Sequence, residues 1–100
     1  MSLMQLTYIF HSGFVFETDQ CILVFDYWMD PAGILPRYLE SSKPMYVFAS
    51  HFHEDHFTPE ILTWRERKDN IRYLLSKDIL KHRRARKEDA DAWLGKGATW

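Results

Sequence analysis

The sequence holds one cysteine, Cys21, among its 100 residues. A single cysteine forms no disulfide within the chain, which excludes a small secreted fold built on disulfides and agrees with a reducing cytoplasm. Glycine and proline are also scarce, at four residues each, so the composition is neither collagen-like nor of low complexity. These absences leave an ordinary globular chain whose length fits one domain, and we find no internal boundary within residues 1–100.

Long apolar runs are absent as well. A run such as CILVF at residues 21–25, which no other apolar run exceeds in length, is far shorter than the ~20 residues that a membrane helix needs. The N-terminus lacks the basic segment and small-residue cleavage site of a signal peptide. We therefore expect a cytoplasmic protein without membrane association, whose oligomeric state the sequence leaves open.

Basic residues are rare in the first part of the chain. Residues 1–60 hold two of them against eight acidic residues, whereas residues 61–100 hold eleven against six. Five of the eleven lie in the segment KHRRARK at 81–87. Such a run can bind phosphates, so a nucleic-acid partner stays open. It is not favoured, because no aromatic residue interleaves the run and acidic residues follow at once.

What is present are short segments rich in Ile, Val, Phe and Tyr. Residues 6–10, 14–18 and 21–27 are separated by turn residues, which is typical of a β-meander. Met45–Ala49 predicts a fourth strand and residues 71–75 a fifth. Thr58, Pro59 and Glu60 predict the start of a helix that ends near Lys68. Residues 35–39 predict one helical turn, and residues 76–87 a further helix. The order predicts an α/β (α+β) fold.

The last ten residues, 91–100, are typical of a turn that leads toward another strand, which we do not expect these residues to form. They include two tryptophans with little chain left to bury them. We therefore expect the sequence to be part of a larger domain.

The stretch SHFHEDHF at residues 50–57 concentrates three of the five histidines and two carboxylates. On an extended strand end, side chains alternate, so His51 and His53 would converge on one metal ion. Asp55 and His56, at the turn that follows, would reach a second ion. A polar loop is the alternative, but three histidines in six positions after a buried strand favour a metal site.

The hexapeptide His51 to His56 resembles the H-x-H-x-D-H signature of the metallo-β-lactamase-fold hydrolases. The similarity extends upstream to Ile22–Asp26, a strand that ends in aspartate. It implies that His51 and His53 bind a first metal and that Asp55 and His56 bind a second. Asp55 would also hold or accept a proton from the bridging water, and Asp26 would orient a ligand histidine. For Asp26, a strand-end cap is the alternative.

The same resemblance implies an αββα four-layer sandwich built from two similar halves. This chain matches the N-terminal half of that domain, and the other half supplies further histidine and aspartate ligands. The implied cofactor is zinc, one or two ions, with iron and manganese also acceptable to these ligands. The implied reaction is attack of metal-activated water on an ester, lactone or phosphodiester, with a small molecule or a phosphodiester as substrate. Because the ligand set within the chain is incomplete, activity of these 100 residues alone is doubtful.

The alternative function is a non-catalytic metal-binding module, with residues 81–87 contacting nucleic acid. The aromatic residues beside the motif leave a second question open. They either line a pocket or belong to the ordinary core: Tyr27, Trp28, Phe52 and Phe57.

Overall fold

The computed structural model describes residues 5–10, 13–51, 53 and 56–95. The six strands are β1 (Gln5–Phe10), β2 (Gly13–Glu17), β3 (Ile22–Phe25), β4 (Met45–Ala49), β5 (Ile71–Ser76) and β6 (Ala92–Leu94). The three α-helices are α1 (Leu35–Leu39), α2 (Glu60–Thr63) and α3 (Lys77–Lys81), with 3₁₀ turns at Trp64–Glu66 and Lys87–Asp89. The mixed strand and helix content confirms the predicted α/β class.

The strands form one sheet in the order β1-β2-β3-β4-β5-β6. The first three pair antiparallel, as a meander requires. From β3 onward every neighbouring pair is parallel. The carboxyl ends of β3, β4, β5 and β6 therefore meet at one edge of the sheet, which we call the carboxyl edge. Asp26 follows β3 and the histidine-rich stretch follows β4, so both lie at this edge.

The helices cover one face of the sheet. Each parallel pair is joined through a helix in the same direction along the sheet, and the strong preference for right-handed crossovers places all three helices on the same side. The contacts agree: the Tyr38 hydroxyl lies 3.3 Å from that of Thr7 on β1, and the Tyr73 hydroxyl on β5 donates to the Ile61 carbonyl of α2. The inward residues on this face form the core, which includes Val15, Val24, Met45, Val47, Tyr73 and Leu75.

The opposite face of the sheet is apolar except for the exposed Arg72, and it is only half-buried. Strand register aligns two rows across it. One row is Tyr8, Phe14, Phe25, Phe48 and Leu74, and the other is Leu6, Phe16, Leu23, Tyr46 and Arg72. In the first row the rings of Phe14 and Phe25 stack at 4.8 Å, as do those of Phe25 and Phe48. Leu6 and Tyr8 are each 64% exposed. We call this surface the open face.

Two predicted elements have the bounds that the structure shows, and several others are shorter. The prediction for β4 is confirmed residue for residue, and the helical turn at 35–39 is confirmed as α1. Asp30 accounts for the start of α1, because its carboxylate accepts the Ile34 and Leu35 N–H groups at 2.8 and 2.7 Å. The helix predicted from Thr58 to Lys68 is wrong in extent, since it is α2 followed by a 3₁₀ turn. No side chain caps its start.

The helix predicted to run to Lys87 ends at Lys81 instead. Arg83 adopts the left-handed conformation, with φ of 58°. The N–H of Arg84 donates to the Ile79 carbonyl at 2.9 Å and that of Arg83 to the Leu80 carbonyl at 3.0 Å. These two bonds form a Schellman motif, which closes the helix. The chain then returns to form β6, so the expectation that residues 91–100 stop short of a further strand is wrong: Ala92–Leu94 pair with β5. Among those residues, no helix has the length and apolar character needed to cross a membrane.

Candidate metal centre at the carboxyl edge

Asp26 is held in a conformation that few residues adopt. It directly follows β3, is 4% exposed, and has a φ of 48°. Aspartate tolerates the left-handed region better than most residues, and non-glycine residues held there often mark functional sites. Its backbone N–H donates to the Phe48 carbonyl at 2.9 Å, which ties the end of β3 to the end of β4.

Ser50 is the main partner of the Asp26 carboxylate. Its backbone N–H donates to Oδ1 at 2.7 Å and its hydroxyl donates to Oδ2 at 2.8 Å. Both residues are buried. A buried carboxylate is costly unless it is hydrogen-bonded, and these two bonds satisfy one lone pair on each oxygen. The pair therefore forms a polar platform beneath the histidine-rich stretch.

Two histidines rest on this platform through Nδ1. His51 Nδ1 lies 2.9 Å from Ser50 Oγ, and His56 Nδ1 lies 3.3 Å from Asp26 Oδ2 and 3.5 Å from Ser50 Oγ. The ring centroids of His51 and His56 are 5.0 Å apart. The structure thus brings these two imidazoles together, although four residues separate them in the sequence.

The hydrogen-bond network determines the tautomer of His51. Ser50 has one hydroxyl hydrogen, which it donates to Asp26, so Ser50 Oγ can only accept from His51. His51 Nδ1 therefore carries a proton, and the lone pair of the neutral ring is on Nε2. His56 follows the same logic, because a carboxylate next to Nδ1 favours the Nδ1–H tautomer.

His53 occupies a different position. It is exposed and lies in a bend, and its carbonyl accepts the N–H groups of His56 and Phe57, both at 2.9 Å. The strand ends at Ala49, so the extended backbone expected through His53 gives way to a tight turn. Asp55, the predicted catalytic residue and metal ligand, lies outside the described residues.

The imidazole side chains can bind a metal, but the residues that the structure describes do not include a complete set of ligands. Imidazole nitrogens bind zinc and iron, and an Nδ1–H bond to a carboxylate is a typical support of a ligand histidine. Within the residues described, which omit Glu54 and Asp55, no three His, Cys, Asp or Glu side chains are grouped closely enough to hold an ion. The donor types therefore fit a metal, and His51 with His56 would supply part of its ligands.

The aromatic residues beside the motif belong mainly to the core. Phe57 is 2% exposed and Tyr27 is 6% exposed. The Tyr27 ring meets that of Trp64 edge-on at 4.8 Å, and its hydroxyl donates to Glu60 Oε2 at 2.9 Å. Burial raises the pKa of Tyr27 well above its ordinary value, and the hydrogen bond and the charge of Glu60 each contribute a smaller part of this effect. Trp28 is half-buried, and Phe52 lies outside the described residues.

Ser50 is the site residue that sequence reasoning missed. Its position, directly after a buried strand and before the first histidine, was visible in the sequence. A lone serine carries little signal, however, and its importance depends on Asp26, which is 24 residues away in the chain.

Comparison with known proteins shows a match in structure but none in sequence. The sequence matches no protein-family model and no curated protein. In three dimensions the chain is similar to Igni18, a metallo hydrolase from the hyperthermophilic archaeon Ignicoccus hospitalis, with a TM-score of 0.63 at 19% identity. The similarity covers 100% of this chain and 42% of Igni18, so the chain spans less than half the length of that protein. The chain has a metallo-hydrolase-like fold.

Proposed function

We propose that this chain is part of a metal-dependent hydrolase of the metallo-β-lactamase fold. One observation carries the proposal: His51 and His56 lie side by side with both Nδ1 atoms against the buried Ser50–Asp26 pair. This arrangement orients two imidazoles through a carboxylate, as metal sites do. A polar loop with no ligand would have no need to bury an aspartate at a positive φ.

The proposed ligands are His51, His53, Asp55 and His56. His51 and His56 would bind through Nε2, because the network holds the proton on Nδ1 of each ring. His53 lies on the same turn, and the assignment of His51 with His53 to one ion and of Asp55 with His56 to another stays a prediction. Zinc is the first choice of metal, with iron and manganese as alternatives.

When bound, the metal would supply a water of lowered pKa for attack on an ester, lactone or phosphodiester. The residues of this chain would orient the metal ligands and accept a proton. Asp26 and Ser50 hold the imidazole rings in one orientation and one tautomer. Asp55 would accept the proton of the attacking water.

The open face supports the proposal that these residues form the N-terminal half of a larger domain. Its two apolar rows are only half-buried, whereas sheets in two-layer packings bury such faces against a second sheet. Igni18 has more than half of its length outside the similarity. A second sheet over the open face would complete a four-layer sandwich and bring further ligands to the carboxyl edge.

Elemental analysis of the natural full-length protein tests the metal site. We expect one or two transition-metal ions per chain in the wild type and loss of most of them in His53→Ala. His82→Ala removes an exposed histidine at the C-terminal end of α3 and is the matched control, with wild-type metal content expected. Equal metal in wild type and His53→Ala contradicts the ligand assignment.

A second candidate is a metal-binding module that contacts nucleic acid. It is supported by the end of α3 and the turn that follows, where Lys81, Arg83 and Arg84 are all exposed. Binding of an RNA oligonucleotide that weakens steeply with salt and is lost in Arg83→Ala/Arg84→Ala, without hydrolysis of any ester or phosphodiester, would favour this candidate over the hydrolase.

A further inference from the structure

A polar cavity of about 490 Å³ lies at the other edge of the sheet. The loop before β4 and the loop before β5 form its walls. Both loops precede parallel strands, so the cavity is at the amino edge, opposite the histidines. β4 has five residues, so about 16 Å of strand separates the cavity from the candidate metal centre.

Lys68 lines this cavity and is 5% exposed. Its ammonium has three N–H donors, and one donates to the Ser41 carbonyl at 2.5 Å. Among the described residues, no carboxylate lies within ion-pair distance of it, and no other acceptor is bonded to it. Burial lowers the pKa of Lys68, and the charge of Asp69 only partly opposes this effect. An ammonium buried without an anion is costly, so two unused donors beside a cavity point to a ligand.

The rest of the lining narrows the ligand class. Arg67 also lines the cavity and is exposed, and among the described residues its guanidinium makes no hydrogen bond or ion pair. Two exposed acidic residues also line the cavity, Glu40 on the wall before β4 and Asp69 on the wall before β5. Solvent screens these exposed charges more than it screens the buried ammonium. The two positive and two negative side chains that line the cavity nearly cancel in charge, which favours a small anion with few charges over a polyanion.

We propose that this cavity binds a small oxyanion, the carboxylate or phosphate group of a ligand, between the Lys68 ammonium and the Arg67 guanidinium. An oxyanion can accept hydrogen bonds from both unused N–H groups of Lys68. The planar guanidinium of Arg67 can donate to the same oxygens. The proposal does not depend on the metal site.

Amide NMR of the full chain tests the proposal, with sodium acetate and inorganic phosphate titrated separately at constant ionic strength. We expect saturable shifts of the amides at residues 40–42 and 67–70 with at least one of the two anions. Phosphate alone identifies a phosphate ligand, and acetate alone identifies a carboxylate.

Lys68→Met retains the apolar stem and removes the ammonium, and we expect it to weaken binding at least tenfold. Lys77→Met, at an exposed lysine on the carboxyl edge, is the control and should bind as the wild type does. Arg67→Gln changes an exposed residue and should fold, so it tests anion binding if Lys68→Met does not fold. We expect it to weaken binding at least threefold. No saturable shifts in the wild type, or unchanged affinity in a folded Lys68→Met, would overturn the proposal.

Discussion

Asp26 and Ser50 bond to each other twice, through the Ser50 amide at 2.7 Å and the Ser50 hydroxyl at 2.8 Å. This pair joins the ends of two parallel strands, and it sets the orientation of the histidines above it. A carboxylate that orients ligand imidazoles raises metal affinity, because the rings are held in place before the metal arrives. Substitutions at the pair therefore separate a metal-supporting role from a purely structural one.

Asp26→Asn should weaken zinc binding about 10–100-fold while the fold is retained. Asparagine tolerates a positive φ and still accepts the Ser50 N–H through its one oxygen. Its NH₂ group, however, cannot accept from the Ser50 hydroxyl or from His56. Competition with a chromogenic chelator measures the affinity. Unchanged affinity would mean that Asp26 is only a strand-end cap.

Asp26→Ala should weaken zinc binding similarly and also destabilise the protein. It leaves the buried Ser50 N–H without its acceptor, which costs about 1–3 kcal/mol in the free energy of unfolding. Urea unfolding of the two Asp26 variants gives this difference. Equal stability of the Ala and Asn variants would mean that the bond from the Ser50 N–H does not stabilise the fold.

Ser50→Ala should lower zinc affinity about tenfold. The backbone bond to Asp26 survives, but His51 loses the hydroxyl that accepts its Nδ1–H and links it to the carboxylate. Ser42→Ala is the matched control, because Ser42 is an exposed serine at the opposite edge. If both alanine variants bind zinc as tightly as the wild type, the hydroxyl does not fix the His51 ring.

Tyr27→Phe should lower the free energy of unfolding by about 1 kcal/mol at pH 8, because it removes the bond to Glu60. The pKa of Tyr27 is raised in the folded protein, so the unfolded chain loses this proton first as pH rises. Stability gained from the hydroxyl is therefore complete below the ordinary tyrosine pKa of about 10 and declines above it.

Urea unfolding of wild type and Tyr27→Phe between pH 8 and 11 measures this effect. The stability difference between the two proteins should narrow above about pH 10. Glu60→Gln, alone and combined with Tyr27→Phe, isolates the pair. A difference that stays constant across this range would contradict the raised pKa.

Arg83→Gly should stabilise the protein by about 1 kcal/mol, because glycine adopts the left-handed conformation without the steric cost that a side chain incurs. Arg84→Gly is the control, since Arg84 is the next residue in the same motif and has no positive φ. It should be neutral or destabilising. Urea unfolding measures both, and a loss of stability in Arg83→Gly would mean that its side chain contributes more than the strain costs.

The secondary structure of the sheet was largely predictable from local pattern. Short β-branched and aromatic segments between turn residues predicted the meander, and Met45–Ala49 was predicted with its observed ends. Helix lengths were not, because short helices depend on tertiary packing more than on propensity. The end of α3 depends on Arg83 taking a conformation that no sequence rule assigns to arginine.

The sequence by itself determined the donor types of the site and their order: an aspartate after one buried strand and three histidines after another. Only the tertiary structure decided which of these side chains meet. Parallel pairing of β3 and β4 brings Asp26 to Ser50, and the turn at His53 brings His56 back beside His51. The physical reason is that contacts between distant residues follow from strand register and backbone direction, whereas a motif records only which donors lie near one another in the chain.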